Sequence, residues 1–175
     1  MADLGGVADP VDVGEPTSSL TVESFDSFFS REYRPVLGLA LVLTGDRAEA
    51  EDLVQEAFLA AFQGWAGIVN PGVWVRTAVS NRAMSWWRRS YAARRAVTRL
   101  NGLEPQASEM PEDTEAFWDE VRRLPRRQAQ AIALYYLEDR SAEEVAAVLG
   151  CEASTVRIHL SRGRRALATR LGVGE

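Results

Sequence analysis

The sequence predicts an all-α protein: two small helical domains joined by an acidic flexible linker, the second containing a helix-turn-helix. Three observations carry this. From Val22 onward apolar residues recur at steps of three and four, and no stretch alternates as a half-buried strand does. Gly, Pro, Asn and Ser gather between the periodic stretches, where turns belong. Charge also divides the chain. Residues 1–30 hold six acids and no Arg, 31–100 ten Arg against six acids, 101–121 seven acids and no Arg, and 122–175 ten Arg against six acids. The net charge of -5 therefore conceals two basic blocks, behind an acidic tail and separated by an acidic segment. A phosphate backbone responds to such patches, not to their sum.

The boundaries expected from these shifts are a disordered acidic tail over 1–20, a domain over 21–100, a linker over 101–113 and a domain over 114–175. In the first domain Phe25, Phe28, Phe29, Tyr33, Val36, Leu37 and Ala40 form a helical stripe that Thr44-Gly45 ends; Pro35 either kinks this helix or divides it. Asp46 is the expected N-cap of a second helix, with Glu49 three residues on. Leu53, Val54, Ala57, Phe58, Ala61, Phe62 and Trp65 face its core side, and Glu49, Asp52, Gln55 and Glu56 the other. The turn-rich residues 66–72 lead to a third helix from Val73 past Arg89, to about Leu100, with Trp74, Ala78, Val79 and Ala83 toward a core. That stretch carries Arg76, Arg82, Arg88, Arg89, Arg94, Arg95 and Arg99 and no acid, until Asn101-Gly102 stops it.

In the second domain helices are expected over 114–124 and 126–137, the latter opened by Pro125. Ser141-Ala142-Glu143-Glu144 has the form of a capping box, and the helix it starts stops at Gly150. Ser154 is the expected cap of the last helix, whose inward face is Val156, Leu160, Gly163, Leu167 and Leu171.

Composition excludes several classes. A hydrophobic content of 46% supports a packed core, and no apolar run approaches the ~18–20 residues of a membrane span. The acidic start lacks the basic residues of a secretory or mitochondrial leader, so a cytoplasmic location is expected. A single Cys, Cys151, and a single His, His159, leave no internal disulfide and no multi-Cys or two-His metal motif; no metal or cofactor is expected. No nucleophile–base pair offers catalysis: Ser154 and Ser161 share one helix with His159 and no orienting acid. All twenty basic residues are Arg. Arg suits bidentate phosphate and guanine contacts, but a bias spread over the whole chain fits a GC-rich genome better than a function.

Two stretches carry binding chemistry. Residues 141–167 read as a helix-turn-helix whose second helix enters the major groove. At about 100° per residue, Thr155, Ile158, Ser161, Arg162 and Arg165 lie away from the Val156–Leu160–Leu167 face, with Arg157, His159 and Arg164 flanking them. In the third helix Trp74, Trp86 and Trp87 are interleaved with Arg, a pattern suited to stacking unpaired bases while phosphates are held. Trp74 is expected in the core, and the neighbours Trp86 and Trp87 point too far apart for both to be fully buried.

Three passages in order give the chain a family likeness. Residues 48–58, with Glu51-Asp52-Leu53-Val54-Gln55-Glu56 at their centre, residues 71–82, Pro71-Gly72-Val73-Trp74-Val75-Arg76 through Asn81-Arg82, and residues 124–167, Leu124-Pro125-Arg126-Arg127-Gln128 through Ser161-Arg162-Gly163-Arg164-Arg165, resemble bacterial RNA polymerase sigma factors of the extracytoplasmic-function type. The resemblance spans about residues 24–171. It implies that Asp52, Leu53, Gln55 and Glu56 dock on the polymerase clamp. It implies minus-ten contacts and promoter melting by Asn70, Trp74, Arg76, Asn81, Arg82, Trp86, Arg88 and Arg89, the 66–72 loop holding a flipped base. It implies minus-thirty-five contacts by Ser154, Thr155, Arg157, Ile158, His159, Ser161, Arg162 and Arg165. The implied partners are core polymerase (clamp and flap), double- and single-stranded promoter DNA, no membrane, and room for an anti-sigma factor. Housekeeping sigma factors carry a Trp pair where this chain has Trp74-Val75, which reduces the duplex wedge. Ile158 stands where relatives often carry a polar residue, and suits a thymine methyl. The competing reading is a stand-alone helix-turn-helix regulator, which explains the second half and leaves the Arg–Trp helix without a role.

Overall fold

The computed structural model describes residues 23–101 and 111–172, the side chains of 94–101 and 112 excepted. The expected acidic tail, and all but the ends of the expected linker, lie outside the described residues. The described residues form α1 (Phe25–Thr44), α2 (Arg47–Gln63), a single 3-10 turn (Trp65–Gly67), α3 (Pro71–Asn101), α4 (Glu112–Arg122), α5 (Arg126–Ile132) continued by a π-type turn (Ala133–Leu137), α6 (Ala142–Leu149) and α7 (Ala153–Leu171). None of these helices is long and apolar enough to cross a membrane.

Local chemistry explains most boundaries. Ser24 opens α1, its hydroxyl accepting from the Ser27 amide. Pro35 neither divides nor ends α1; it is exposed, so the carbonyl that loses its amide partner faces water. Asp46 caps α2 through the Glu49 amide at 2.9 Å. The capping box at α6 is closed on both sides, Ser141 N–H to Glu144 at 2.9 Å and Glu144 N–H to Ser141 at 3.2 Å. Ser154 does not cap α7: the helix begins at Ala153, Glu152 occupies the cap without a side-chain bond, and Ser154 lies exposed in the first turn. The helix expected over 126–137 widens into the π-type turn at Ala133, which displaces Glu138 from the α5 register.

Helices α1–α3 enclose one core of Phe28, Val36, Ala40, Val54, Phe58, Val75 and Val79. A second core does not stay within the C-terminal helices: Trp118, Val121, Leu124, Ile132, Leu134, Val145 and Leu160 join Leu39, Val42, Leu43, Leu53, Ala83 and Met84 of the first three. The two domains expected on either side of a flexible linker therefore pack into one body. Arg122 of α4 is 1% exposed and donates to the Val42 carbonyl of α1 at 2.9 Å, satisfying one of the orphan acceptors at that helix end. Gly45 makes this approach possible. Its φ is 67°, and a Cβ there would sit 2.8 Å from Arg122 Cζ. Gly163 plays the equivalent part between α7 and α5, where a Cβ would meet Ile132 Cγ1 at 3.2 Å.

Four residues of the expected apolar stripes and core face outward instead. Phe62 is 59% exposed, Phe29 38%, Leu171 37% and Trp74 37%. Phe62 leaves the core because Phe28 and Phe58 already fill the space between α1 and α2, and Phe62 lies over their edge against Phe25, ring centroids 5.0 Å apart.

Candidate nucleic-acid interface

Helix α7 presents the helix-turn-helix face as the sequence analysis expects. Ser154, Arg157, Ile158, Ser161, Arg162 and Arg165 are exposed, Thr155 and His159 half-buried, while Val156, Leu160 and Leu167 are buried against the rest of the domain. Arg157 pairs with Glu143 of α6 at 2.6 Å, but both side chains are mostly exposed, so the pair contributes at most about 1 kcal/mol. Ile158 is 49% exposed on this basic surface, an apolar contact point among Arg. His159 Nδ1 is buried without a hydrogen-bond partner among the described residues. Burial, and then the charges of Arg127 and Arg162, push the imidazole below its ordinary pKa and favour the neutral ring.

On α2 Asp52, Gln55 and Glu56 are exposed, whereas Leu53, expected among the docking residues, is buried in the core that joins the two halves and does not reach the surface they form. The stripe continues where the sequence analysis stops: Leu59 and Phe62, 58% and 59% exposed, follow Asp52, Gln55 and Glu56 at helical spacing. The signal for Leu59 was its place one turn beyond Gln55 and Glu56. For Phe62 periodicity misled, because the core ends before that turn. The carboxylates concentrate negative potential here: burial, then Asp46, Asp52 and Glu56, raise the pKa of Glu49.

The minus-ten set is divided by the structure. Asn70 Oδ1 accepts from the Val73 amide at 3.1 Å, so Asn70 caps α3. Beside it a cavity of about 530 Å³ opens between the 66–72 loop and α3, lined by Ile68, Val69, Asn70, Val73, Trp74 and Thr77. Trp74, Arg82, Trp86 and Arg89 continue from this pocket along one side of α3, exposed or half-buried. Trp86 keeps part of its ring at the surface, whereas Trp87 is 7% exposed and stacks on Tyr91 at 4.8 Å. Arg82 reaches Glu56 of α2 at 2.8 Å, an exposed pair. Arg88 is exposed at a separate cleft with Trp87, Tyr91, Arg123 and Arg170.

Arg76 and Asn81 do not join this outward stripe. Arg76 is 2% exposed and bonded to Glu32 and Glu138, each at 2.7 Å. Burial opposes its charge, but the hydrogen bonds and charges of Glu138 and Glu32 outweigh that and raise its pKa. Asn81 Oδ1 accepts from Arg126 at 2.6 Å and from Gln130 at 2.9 Å. Both are turned to neighbouring helices: Arg76 lies between Glu32 of α1 and Glu138, and Asn81 faces Arg126 and Gln130 of α5.

Residues 28–94 match the family Sigma-70 region 2, and residues 114–167 match Sigma-70, region 4. The chain is 30% identical over 136 residues to the RNA polymerase sigma-E factor of Streptomyces antibioticus, covering 73% of this chain and 76% of that protein. It is 32% identical over 149 residues to a probable RNA polymerase sigma factor, RfaY, of Xanthomonas campestris pv. campestris, covering 78% of this chain and 37% of that protein. The fold matches that of the sigma factor RpoE in its complex with the anti-sigma factor NepR from Bartonella quintana, with a TM-score of 0.64 and 24% identity over 86% of this chain and 98% of that one. CnrH, solved with the cytosolic domain of CnrY, matches with a TM-score of 0.63 and 21% identity over 86% of this chain and 89% of that one. With both sigma-70 regions in order on one chain, and a relative matched over most of its length, the protein belongs to the RNA polymerase sigma factors of the extracytoplasmic-function type.

Proposed function

We propose that the chain binds core RNA polymerase through the α2 stripe of Asp52, Gln55, Glu56, Leu59 and Phe62, and directs promoter-specific initiation through two DNA-binding surfaces. Ser154, Thr155, Arg157, Ile158, His159, Ser161, Arg162 and Arg165 of α7 take the upstream duplex. The 66–72 pocket with Asn70 and Trp74, followed by Arg82, Trp86, Arg88 and Arg89, takes the unpaired downstream strand, stacking bases while Arg holds phosphate. The protein acts by binding, and the polymerase performs the chemistry. The observation that carries the reading is the open pocket at Trp74 at the head of a basic helix: a regulator that binds only duplex DNA has no use for a recess large enough to admit a base with an exposed indole at its rim. Leu59 and Phe62 favour polymerase over a purely electrostatic partner, because acids surrounding an apolar centre suit a basic helical partner that also buries carbon.

The test is docking. Asp52→Arg with Glu56→Arg leaves the fold intact, since both side chains are exposed, and binding to core polymerase falls sharply. Recruitment of the double variant at the wild-type level, measured by native gel shift of the core enzyme, would overturn the docking assignment.

A further inference from the structure

Arg88 turns away from Arg82, Trp86 and Arg89 into a cleft of about 860 Å³ beside the second half of α3. One wall is α3, with Trp87, Arg88 and Tyr91. The other comes from the C-terminal helices, with Arg123 and Leu124 at the end of α4 and Arg170 of α7. A space of this size falls within the range of small-ligand sites, roughly 300–1,000 Å³. The guanidiniums of Arg88, Arg123 and Arg170 are exposed here, and Glu120 is the one carboxylate among the lining residues. Glu120 is shared: Arg123 pairs with one oxygen, and Arg170 lies 3.6 Å from the other. Arg88 makes no ion pair among the described residues. Behind the cleft, burial, then the charges of Arg127 and Arg88, push the pKa of Arg126 down, and its Nε is buried without a hydrogen-bond partner among the described residues. The fold thus holds like charges together with too little acid to balance them, and an anion relieves that repulsion. The aromatic floor adds a second chemistry. Trp87 and Tyr91 stack with ring centroids 4.8 Å apart and planes at 14°. Trp87 is 7% exposed and Tyr91 half-buried, so Tyr91 is the more open end of the stack. Arg123 Cζ stands 6.0 Å from the Tyr91 centroid, at the outer limit of a cation–π contact, and its partly exposed pair with Glu120 holds it weakly. It can turn from the ring to a phosphate at little cost.

We propose that this cleft is a nucleoside-polyphosphate site, in which Arg88, Arg123 and Arg170 hold the phosphates and the Trp87–Tyr91 stack receives the base. Guanidiniums grip phosphate oxygens in pairs, and an aromatic face accepts any base, so the combination selects phosphates joined to a planar ring. The site lies roughly 20 Å along α3 from Trp74, at 1.5 Å per residue, and is distinct from the 66–72 pocket. Its walls belong to different halves of the chain, so a bound nucleotide bridges them. The proposal does not rest on the promoter reading. It gives Arg88, in the free chain, to the phosphates of a small ligand and leaves the other residues of that reading untouched.

The experiment is calorimetric titration of the full chain, without added magnesium, with ATP, GTP, adenosine and inorganic tripolyphosphate. Both nucleotides bind, tripolyphosphate binds more weakly, and adenosine gives no measurable heat. Arg88→Ala and Arg123→Ala each lower ATP affinity about tenfold or more. Both side chains are exposed, so the fold survives, and if one variant unfolds by circular dichroism the other decides. Tyr91→Leu lowers ATP affinity about fivefold or more and leaves tripolyphosphate binding unchanged, a split that a merely structural role of the ring would not give. Arg34→Ala removes the same charge from an exposed position on α1 and matches wild type. Four results overturn the proposal. One is no heat with ATP at millimolar concentration. Another is ATP affinity that survives both cleft variants, or falls equally in Arg34→Ala. A third is tripolyphosphate bound as tightly as ATP, which removes the base from the site. The last is a single-stranded oligonucleotide that binds through Arg88 and Arg123 where ATP does not, which gives the cleft to DNA.

Discussion

Asn70 combines two roles that an alanine substitution confounds. Its side chain caps α3 and also lines the pocket proposed for an unpaired base. Asn70→Ala therefore lowers stability by about 1 kcal/mol from the lost cap, read by urea denaturation, and impairs promoter opening as well. Asn70→Ser keeps the cap. Near-wild-type stability with defective opening in that variant, measured by permanganate reactivity of unpaired thymines, assigns base recognition to the amide; full opening would remove it. His159 gives a second residue-level expectation. Burial and the charges of Arg127 and Arg162 lower its folded pKa, so the unfolded chain binds more protons below the ordinary value of about 6.5. The stability it contributes is full above that value and declines as pH falls from there toward the lowered folded pKa. As the only histidine in the chain, it makes the thermal midpoint higher at pH 7.5 than at pH 5.5, and His159→Gln flattens the difference. An unchanged slope in the variant would place the titration elsewhere.

Among the elements, α7 was the most legible. Its buried residues step by three and four, its Arg lie opposite, and the structure separates the two sets as the helical period requires. Arg157→Ala and Arg162→Ala each weaken promoter binding by about 1–3 kcal/mol if they read bases, with preference relaxed at one position; a phosphate contact instead weakens all sequences alike and lowers the salt slope. Titration of both variants on a duplex library at two salt concentrations distinguishes these outcomes, and unchanged binding would remove α7 as the recognition helix. On α2 periodicity failed at Phe62, and on α3 at Trp74, for one reason. A 3.6-residue period shows which side of a helix is apolar, whereas the length of the neighbour decides how far along that side the core extends. Apolar residues past that end become surface, and here they border the proposed functional sites.

At the scale of the whole molecule the shared core makes the two halves depend on each other. Arg122 is the hinge of that dependence, buried between α1 and α4 and bonded to Val42, Glu115 and Asp119. Removing one partner of a buried ion pair costs up to about 3–5 kcal/mol, and less here because Asp119 reaches solvent on one side. Wild-type protein accordingly unfolds in one transition by calorimetry, and Arg122→Ala unfolds in two, the halves melting separately. A single transition in the variant would show that the shared apolar core couples them without this guanidinium. Gly45 belongs to the same contact, since its positive φ and the 2.8 Å approach of Arg122 both exclude a larger residue.

By itself the sequence determined the helices, the caps at Asp46 and Ser141, the polar faces of α2 and α7 and the family, because these follow from period, cap chemistry and charge order within short stretches. Asp46, Ser141, the α7 Arg residues and the α2 acids could all be placed from their neighbours in sequence. The closed arrangement was decided only in the tertiary structure. Arg76 and Glu138 are separated by 62 residues, and Arg122 and Val42 by 80. Nothing local indicates that an Arg in a basic helix will find a carboxylate in the other half before it finds a phosphate. That choice depends on the apolar surface of Leu39, Val42, Leu43, Ala83 and Met84, which shares one core with Trp118, Val121, Leu124, Ile132 and Leu134 of the C-terminal helices.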